Sequence, residues 1–171
     1  MENLQVISCQ WKHYAVLADI GAQTFYETFR PHNTEEDMQK YISMAYNTAA
    51  IKQNLLKEKV HYFLGYLNHQ DAGYVKLIEN PKDIKLEGRI MELEKIYLRK
   101  GFHGSGLAAS LMNLAFEKSK DRGFEKLYLG VWQENERAIA FYKKMGFEVF
   151  DTRKFQLGSR WCEDYLMYIR L

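Results

Sequence analysis

The chain has 171 residues, of which 47% are apolar and 27% charged, with 2 prolines and 11 glycines. That is the size and balance of one globular domain, and it excludes disordered, collagen-like and low-complexity classes. Lysine plus arginine number 24 against 22 aspartate plus glutamate, a net charge of +2, so the charge excess of a nucleic-acid binder is absent. Cys9 and Cys162 are the only thiols. They form neither a C-x-x-C nor a metal spacing and read as small buried hydrophobes in a reducing compartment. Met1-Glu2-Asn3-Leu4 lacks the basic and apolar stretches of a signal peptide. No segment approaches the ~18 unbroken apolar residues of a membrane helix, so a cytoplasmic protein with no membrane partner is expected.

In chain order, Leu4 to Cys9 predicts a first strand, and apolar residues at helical spacing from Lys12 to Phe29 predict a helix. Thr34 caps a second helix whose first turn holds Glu35, Glu36 and Asp37, where the helix dipole favours acids. Val60 to Asn68 and Ala72 to Glu79 predict an antiparallel hairpin. Met91 to Leu98 reads as a strand with Glu92 and Glu94 on one face and Leu93 and Tyr97 on the other. A glycine-rich turn leads into a helix with a stripe of Ala108, Leu111, Met112 and Ala115, stopped by Gly123. Lys126 to Gln133, apolar on both faces, predicts a central strand. Asn135 to Met145 is a helix closed by Gly146, and strands over Phe147 to Gln156 and Trp161 to Leu171 finish the chain. Antiparallel stretches alternating with two strand–helix–strand units imply a single domain over residues 1–171, of mixed α/β class with a mainly antiparallel sheet.

The sharpest local feature is Phe102-His103-Gly104-Ser105-Gly106-Leu107-Ala108, between a strand and a helix. Small residues there let the backbone approach a ligand, and the helix start offers free N–H groups and a positive dipole end, an anion site suited to phosphate. Gly104 to Ala109 formally fits the dinucleotide fingerprint. The context does not: Glu92, Glu94 and Lys95 sit on the preceding strand, and Arg99 to His103 intervene before the glycines. A Walker loop is excluded because no Gly-Lys-Ser/Thr follows. The second constellation runs from Asn135 to Phe147. Read alone, it is an amphipathic helix capped by Asn135, with Ala138, Phe141, Tyr142 and Met145 on its core stripe.

Taken together, these two constellations resemble the GNAT superfamily of acetyl-CoA-dependent N-acetyltransferases. The family's Gln/Arg-x-x-Gly-x-Gly/Ala turn is similar to His103-Gly104-Ser105-Gly106-Leu107-Ala108. His103 stands where the family has Gln or Arg, a change that leaves the backbone N–H groups in place. The family's Asn-x-x-Ala-x-x-Phe-Tyr-x-x-x-Gly-Phe is matched at Asn135, Ala138, Phe141, Tyr142, Gly146 and Phe147. The resemblance covers nearly the whole chain. It is strongest to PaiA-type spermidine/spermine N-acetyltransferases, on the segments Thr24–Phe29, Ala72–Lys76, Glu92–Leu98, Leu129–Asn135 and Gly158–Leu171.

The resemblance implies acetyl transfer from acetyl-CoA to a primary amine, with a polyamine as acceptor. It implies Glu94, with Glu92 beside it, as the base acting through ordered water, since burial can raise a carboxylate toward neutrality. The plain alternative is that these acids face solvent or pair with Lys or Arg. Tyr142 is implied as the acid that protonates the leaving thiolate. The backbone of Ile96, Tyr97 and Leu98 is implied to pair with the pantetheine arm, an Ile96 or Leu98 N–H facing the thioester oxygen. Asn135 would bind the pantetheine or orient the site, and Lys144, with Lys143 or Arg137 as substitutes, would meet the phosphates. Candidate polyamine-binding acids are Glu27, Glu35, Glu36, Asp37, Asp151, Glu163 and Asp164. No histidine pair has metal spacing, so no metal is expected. A homodimer is a further implication, with Trp11, Tyr14 and Trp161 as the candidate aromatics. Other readings are an acetyltransferase for a protein amine or amino sugar, and a CoA-sensing module without catalysis.

Overall fold

The computed structural model describes residues 3–171. Met1 and Glu2, which head the N-terminal segment considered above, lie outside the described residues. Seven strands form one sheet in the order β1-β2-β3-β4-β5-β7-β6. They are β1 (Leu4–Ser8), β2 (Val60–Leu67), β3 (Gln70–Glu79), β4 (Ile90–Leu98), β5 (Lys126–Trp132), β6 (Glu148–Leu157) and β7 (Arg160–Arg170). Every pairing is antiparallel except β4 with β5. The parallel pair is joined by helix α4 (Leu107–Asp121), because parallel neighbours need a crossover. Helices α1 (Tyr14–Phe29), α2 (Glu35–Ala45) and α3 (Thr48–Leu55) pack around Tyr62, Leu64, Tyr74, Tyr97 and Trp132 on one face of the sheet. Helices α4 and α5 (Glu136–Lys144) cover Leu77, Met91, Leu93, Leu127 and Leu129 on the other.

The expected elements are present, with their ends shifted by a residue or two. Helix α3 is an addition. Its single fully buried residue, Ile51, leaves little periodic signal, but Asn47 caps it with a side-chain bond from the Ala50 N–H at 2.8 Å.

Strand β4 departs from simple alternation. Lys76 pairs with Lys95 but Leu77 pairs with Leu93, so Glu94 is the extra residue of a β-bulge. One extra residue swaps the faces beyond it. Leu93, Ile96 and Leu98 therefore share the face packed against α4, while Tyr97 packs with the α1–α3 layer. The expectation that Leu93 and Tyr97 share a face is corrected: Glu92, Lys95 and Tyr97 point to the α1–α3 side, and all three line the same cavity there.

No helix of the described residues is long and apolar enough to cross a membrane. Trp11 (52% exposed) follows edge strand β1, whereas Trp161 (67% exposed) sits at the β6–β7 turn, toward the other edge. Tyr14 is half-buried against Trp11 under the Lys52 ammonium. No single face of this sheet collects the three aromatics.

Candidate active site

The parallel ladder between β4 and β5 is short. It joins Ile90 to Lys126, Met91 to Leu127 and Glu92 to Tyr128, and then stops. From Leu93 to Leu98 on β4 and from Leu129 to Trp132 on β5 the two strands diverge without pairing. The Arg99 N–H donates to the Ala72 carbonyl at 2.9 Å, and Leu98 lies opposite Gly73. Antiparallel alternation then turns the backbone groups of Tyr97 and Lys95 toward β3, and those of Leu98 and Ile96 toward the opening. The backbone groups of Ile96 and Leu98 are thus free of β3. Tyr97 is corrected: its backbone is spent on β3, and its ring lines the cavity from the α1–α3 side.

The opening is a cavity of about 610 Å³. At its mouth lies the glycine turn. Gly104 and Gly106 have φ of +81° and +84°, a region other residues enter only under strain, and a Cβ at either would meet nothing within 4 Å. The first bond into α4 is Ser110 N–H to the Gly106 carbonyl at 3.1 Å. The N–H groups of Ala108 and Ala109 are therefore left without a backbone acceptor, as at any helix start. His103, Gly104 and Ala108 line the cavity itself. Ser105 ties the turn down by donating to the Phe102 carbonyl at 2.7 Å. Leu107 does not line the cavity: its side chain is fully buried in the core and its N–H donates to Ser105 Oγ at 3.4 Å. Donors and open space of this kind fit a pyrophosphate.

Helix α5 brings the second constellation. Asn135 accepts from the Ala138 N–H at 3.2 Å, so it caps the helix, and it also lines the cavity. Tyr142 lines the cavity with only 9% of its surface exposed, ringed by Phe141 and Phe147. Burial, with Tyr97 nearby, raises its hydroxyl well above the ordinary phenol range. Lys144 is an exposed residue of the last turn and does not line the cavity. It follows Asn135 by nine positions, roughly 13 Å along the axis at 1.5 Å per residue. Arg137, the alternative to Lys144 considered above, stands in the first turn, lines the mouth and donates to His103 Nδ1 at 2.7 Å. Burial and that guanidinium hold His103 below the usual imidazole range, so His103 is the neutral acceptor of the bond.

On the α1–α3 side the cavity wall is charged. The Glu94 carboxylate is ion-paired with Lys76, which is 7% exposed at its side chain against 31% for Glu94. Burial acts against the Glu94 charge, but Lys95 and Lys76 outweigh it and hold the carboxyl below its ordinary value. Glu92 has no ion-pair or hydrogen-bond partner among the described residues. Burial and the neighbouring Glu94 raise its carboxyl above the usual 4.5. Glu94 is thus ion-paired with Lys76, whereas the Glu92 carboxylate faces the cavity without such a partner. Removing only the cation by Lys76→Met takes away the ion-pair partner of Glu94 and leaves it with the more distant Lys95 charge. It is expected to destabilise the fold by about 3 kcal/mol in urea unfolding, with most of that recovered in Lys76→Met/Glu94→Leu.

Of the seven acids considered for a polyamine, only Asp164 lines this cavity, and Arg153 holds it at 3.0 Å. Glu27 lies in the adjoining cleft beyond His103. Glu35 is bound by Tyr26, Gln39 and Arg30, which hold it down at about 2. Asp151 pairs with Lys85 at 3.3 Å. Glu36 is exposed and Asp37 half-buried on α2, and Glu163 lies in a separate groove beside Trp161. Lys95, Arg153, Trp132 and Tyr41 also line the cavity, although the sequence marked none of them. Among the described residues no cluster of His, Cys, Asp and Glu could hold a metal.

Residues 22–147 match the model of the Acetyltransferase (GNAT) family, and the chain belongs to that family. An uncharacterized N-acetyltransferase from the pepI 3' region of Lactobacillus delbrueckii subsp. lactis is 29% identical over 168 residues, 98% of this chain and 97% of the relative. An uncharacterized N-acetyltransferase of Mycobacterium tuberculosis is 32% identical over 151 residues, 88% of this chain and 93% of the relative. Among solved structures, the PaiA N-acetyltransferase of Thermoplasma acidophilum in complex with coenzyme A has a TM-score of 0.82 at 18% identity, covering 99% of both chains. The ribosomal-protein-S18-alanine N-acetyltransferase of Escherichia coli has a TM-score of 0.71 at 17% identity, covering 98% of this chain and 94% of that one. These two likenesses concern the fold.

Proposed function

We propose that the protein transfers acetyl from acetyl-CoA to a primary amine of a small molecule. The observation that carries this reading is the β4–β5 opening, which has the glycine turn at its mouth, Tyr142 on one wall and Glu92 on the other. The N–H groups of Gly104, Gly106, Ala108 and Ala109 hold the pyrophosphate, with Arg137 as the nearby cation. The Ile96 or Leu98 N–H, facing the opening, receives the negative charge that develops on the thioester oxygen. Glu92 takes the proton that the acceptor ammonium must lose. Tyr142, kept protonated by burial, returns a proton to the leaving thiolate.

A polyamine acceptor is the finer reading that the PaiA-type segments bring. Its weak point is the charge of the wall, where two of three carboxylates are already paired. The test is thiol release from acetyl-CoA with spermidine, spermine, an amino sugar, amino acids and a lysine peptide, alongside calorimetric binding of coenzyme A. Turnover on a small amine is the expected result. Tight coenzyme A binding with no turnover on any amine would favour the sensor reading, and turnover on the peptide alone would favour a protein acceptor.

A further inference from the structure

Lys95 is a half-buried ammonium that lines the cavity beside Glu92. Its Nζ lies 5.5 Å from the Tyr46 ring centre and 5.6 Å from that of Tyr97. Among the described residues it has no ion-pair or hydrogen-bond partner. The carboxylate nearest in sequence, Glu94, is taken by Lys76, and Asp164 is taken by Arg153. Burial works against the charge on Lys95, but Tyr97 and Glu94 outweigh it, so the ammonium persists. An ammonium stabilised only by ring faces and by a carboxylate already paired elsewhere keeps its donor positions open to an anion that enters the cavity.

The bulge at Glu94 makes Glu92 and Lys95 neighbours on one face of β4. Two pleat steps set them roughly 7 Å apart along the strand. The wall therefore offers one free carboxylate and one free ammonium side by side, a pattern complementary to a zwitterion. Phe25, Phe29, Trp132 and Phe155 supply an apolar surface around it. The other cations lining the cavity are engaged: Arg153 donates to Asp164 at 3.0 Å and to the Tyr128 hydroxyl at 3.2 Å, and Arg137 to His103 at 2.7 Å. A single cation without an ion-pair partner suits a monoanion such as a carboxylate better than a phosphate dianion, with the unpartnered Thr24 hydroxyl and that of Tyr41 as neutral donors in the same cavity.

We propose that Lys95 anchors a carboxylate on the acceptor, so that the enzyme selects amino-acid-like amines with an apolar body over polycations. This rests on the acetyl-transfer reading above and names its substrate class. The acceptor ammonium then faces Glu92 while its carboxylate lies against Lys95.

The test uses amine pairs that differ only in the carboxylate: phenylalanine against 2-phenylethylamine, and lysine against cadaverine, with spermidine as the polycation. Two readouts are taken on the full-length protein, kcat/KM from thiol release and acceptor affinity from calorimetry in the presence of coenzyme A. The carboxylate-bearing member is expected to win by roughly 10- to 100-fold. That ratio should collapse toward one in Lys95→Met and recover in Lys95→Arg, with thermal unfolding confirming that both variants fold. Equal preference within the pairs, or a preference for spermidine, overturns the proposal. So does a ratio that Lys95→Met leaves unmoved. Carboxylate-selective binding without turnover would support the anion site while sinking acetyl transfer, so the two failures are separable.

Discussion

Tyr142→Phe is expected to lower kcat about 100- to 1000-fold while changing coenzyme A affinity by less than about threefold. The substitution removes one oxygen from a ring that is otherwise held by Phe141 and Phe147, so packing is preserved. What is lost is a proton donor positioned in the opening. A thiolate leaving into an apolar wall without that proton carries its full charge in a medium that solvates it poorly. Burial raises the Tyr142 hydroxyl above its ordinary value. The donor form therefore stays complete up to and beyond pH 10, and wild-type kcat should show no alkaline fall assignable to this group below that point. The comparison to make is single-turnover thiol release in both proteins at saturating acetyl-CoA. Equal rates would remove Tyr142 from the chemistry and return it to the core stripe of α5.

How far this site could be read in advance depends on the range of the forces that build it. The glycine turn was legible because its requirement is local: φ of +81° and +84° at Gly104 and Gly106, followed directly by a helix start. The cap and period of one short helix read Asn135 and Tyr142 only as a cap and a core-stripe residue, and it is the family resemblance that points to them as site residues. The faces of β4 were not, because alternation assumes a regular ladder. The bulge at Glu94 is decided by how β3 pairs across from it, and Lys76 and Leu77 are far away in sequence. The same long-range pairing sets the two acids apart. Nothing local to Glu94 shows its ion pair, because the partner, Lys76, stands 18 positions earlier on β3. Lys95, Arg153 and Trp132 left no local signal at all, since ordinary strand residues become cavity lining only when four strands and α1 converge. The interval holding α3 failed for a different reason. Its burial is carried almost wholly by Ile51, too little apolar periodicity to stand out from a loop.

Glu92→Gln carries the second large effect, and pH is the variable that exposes it. A base acts in its ionised form, so activity is lost as pH falls through its pKa. Burial and the charge of Glu94 both disfavour the Glu92 anion and raise that pKa above 4.5. The acidic limb of kcat/KM should accordingly lie above the range of a free carboxyl, and wild-type activity should rise as pH climbs through it. In Glu92→Gln the rate at neutral pH is expected to drop about 100-fold, and this limb should vanish. Glu94→Gln makes the opposite prediction. It removes a like charge beside Glu92, so the limb should persist and move to lower pH. Side-chain volume is conserved in both variants, which separates the charge effect from packing. A limb that survives in Glu92→Gln and disappears in Glu94→Gln would hand the base back to Glu94, and it would mean that the Lys76 pair opens when the acceptor binds.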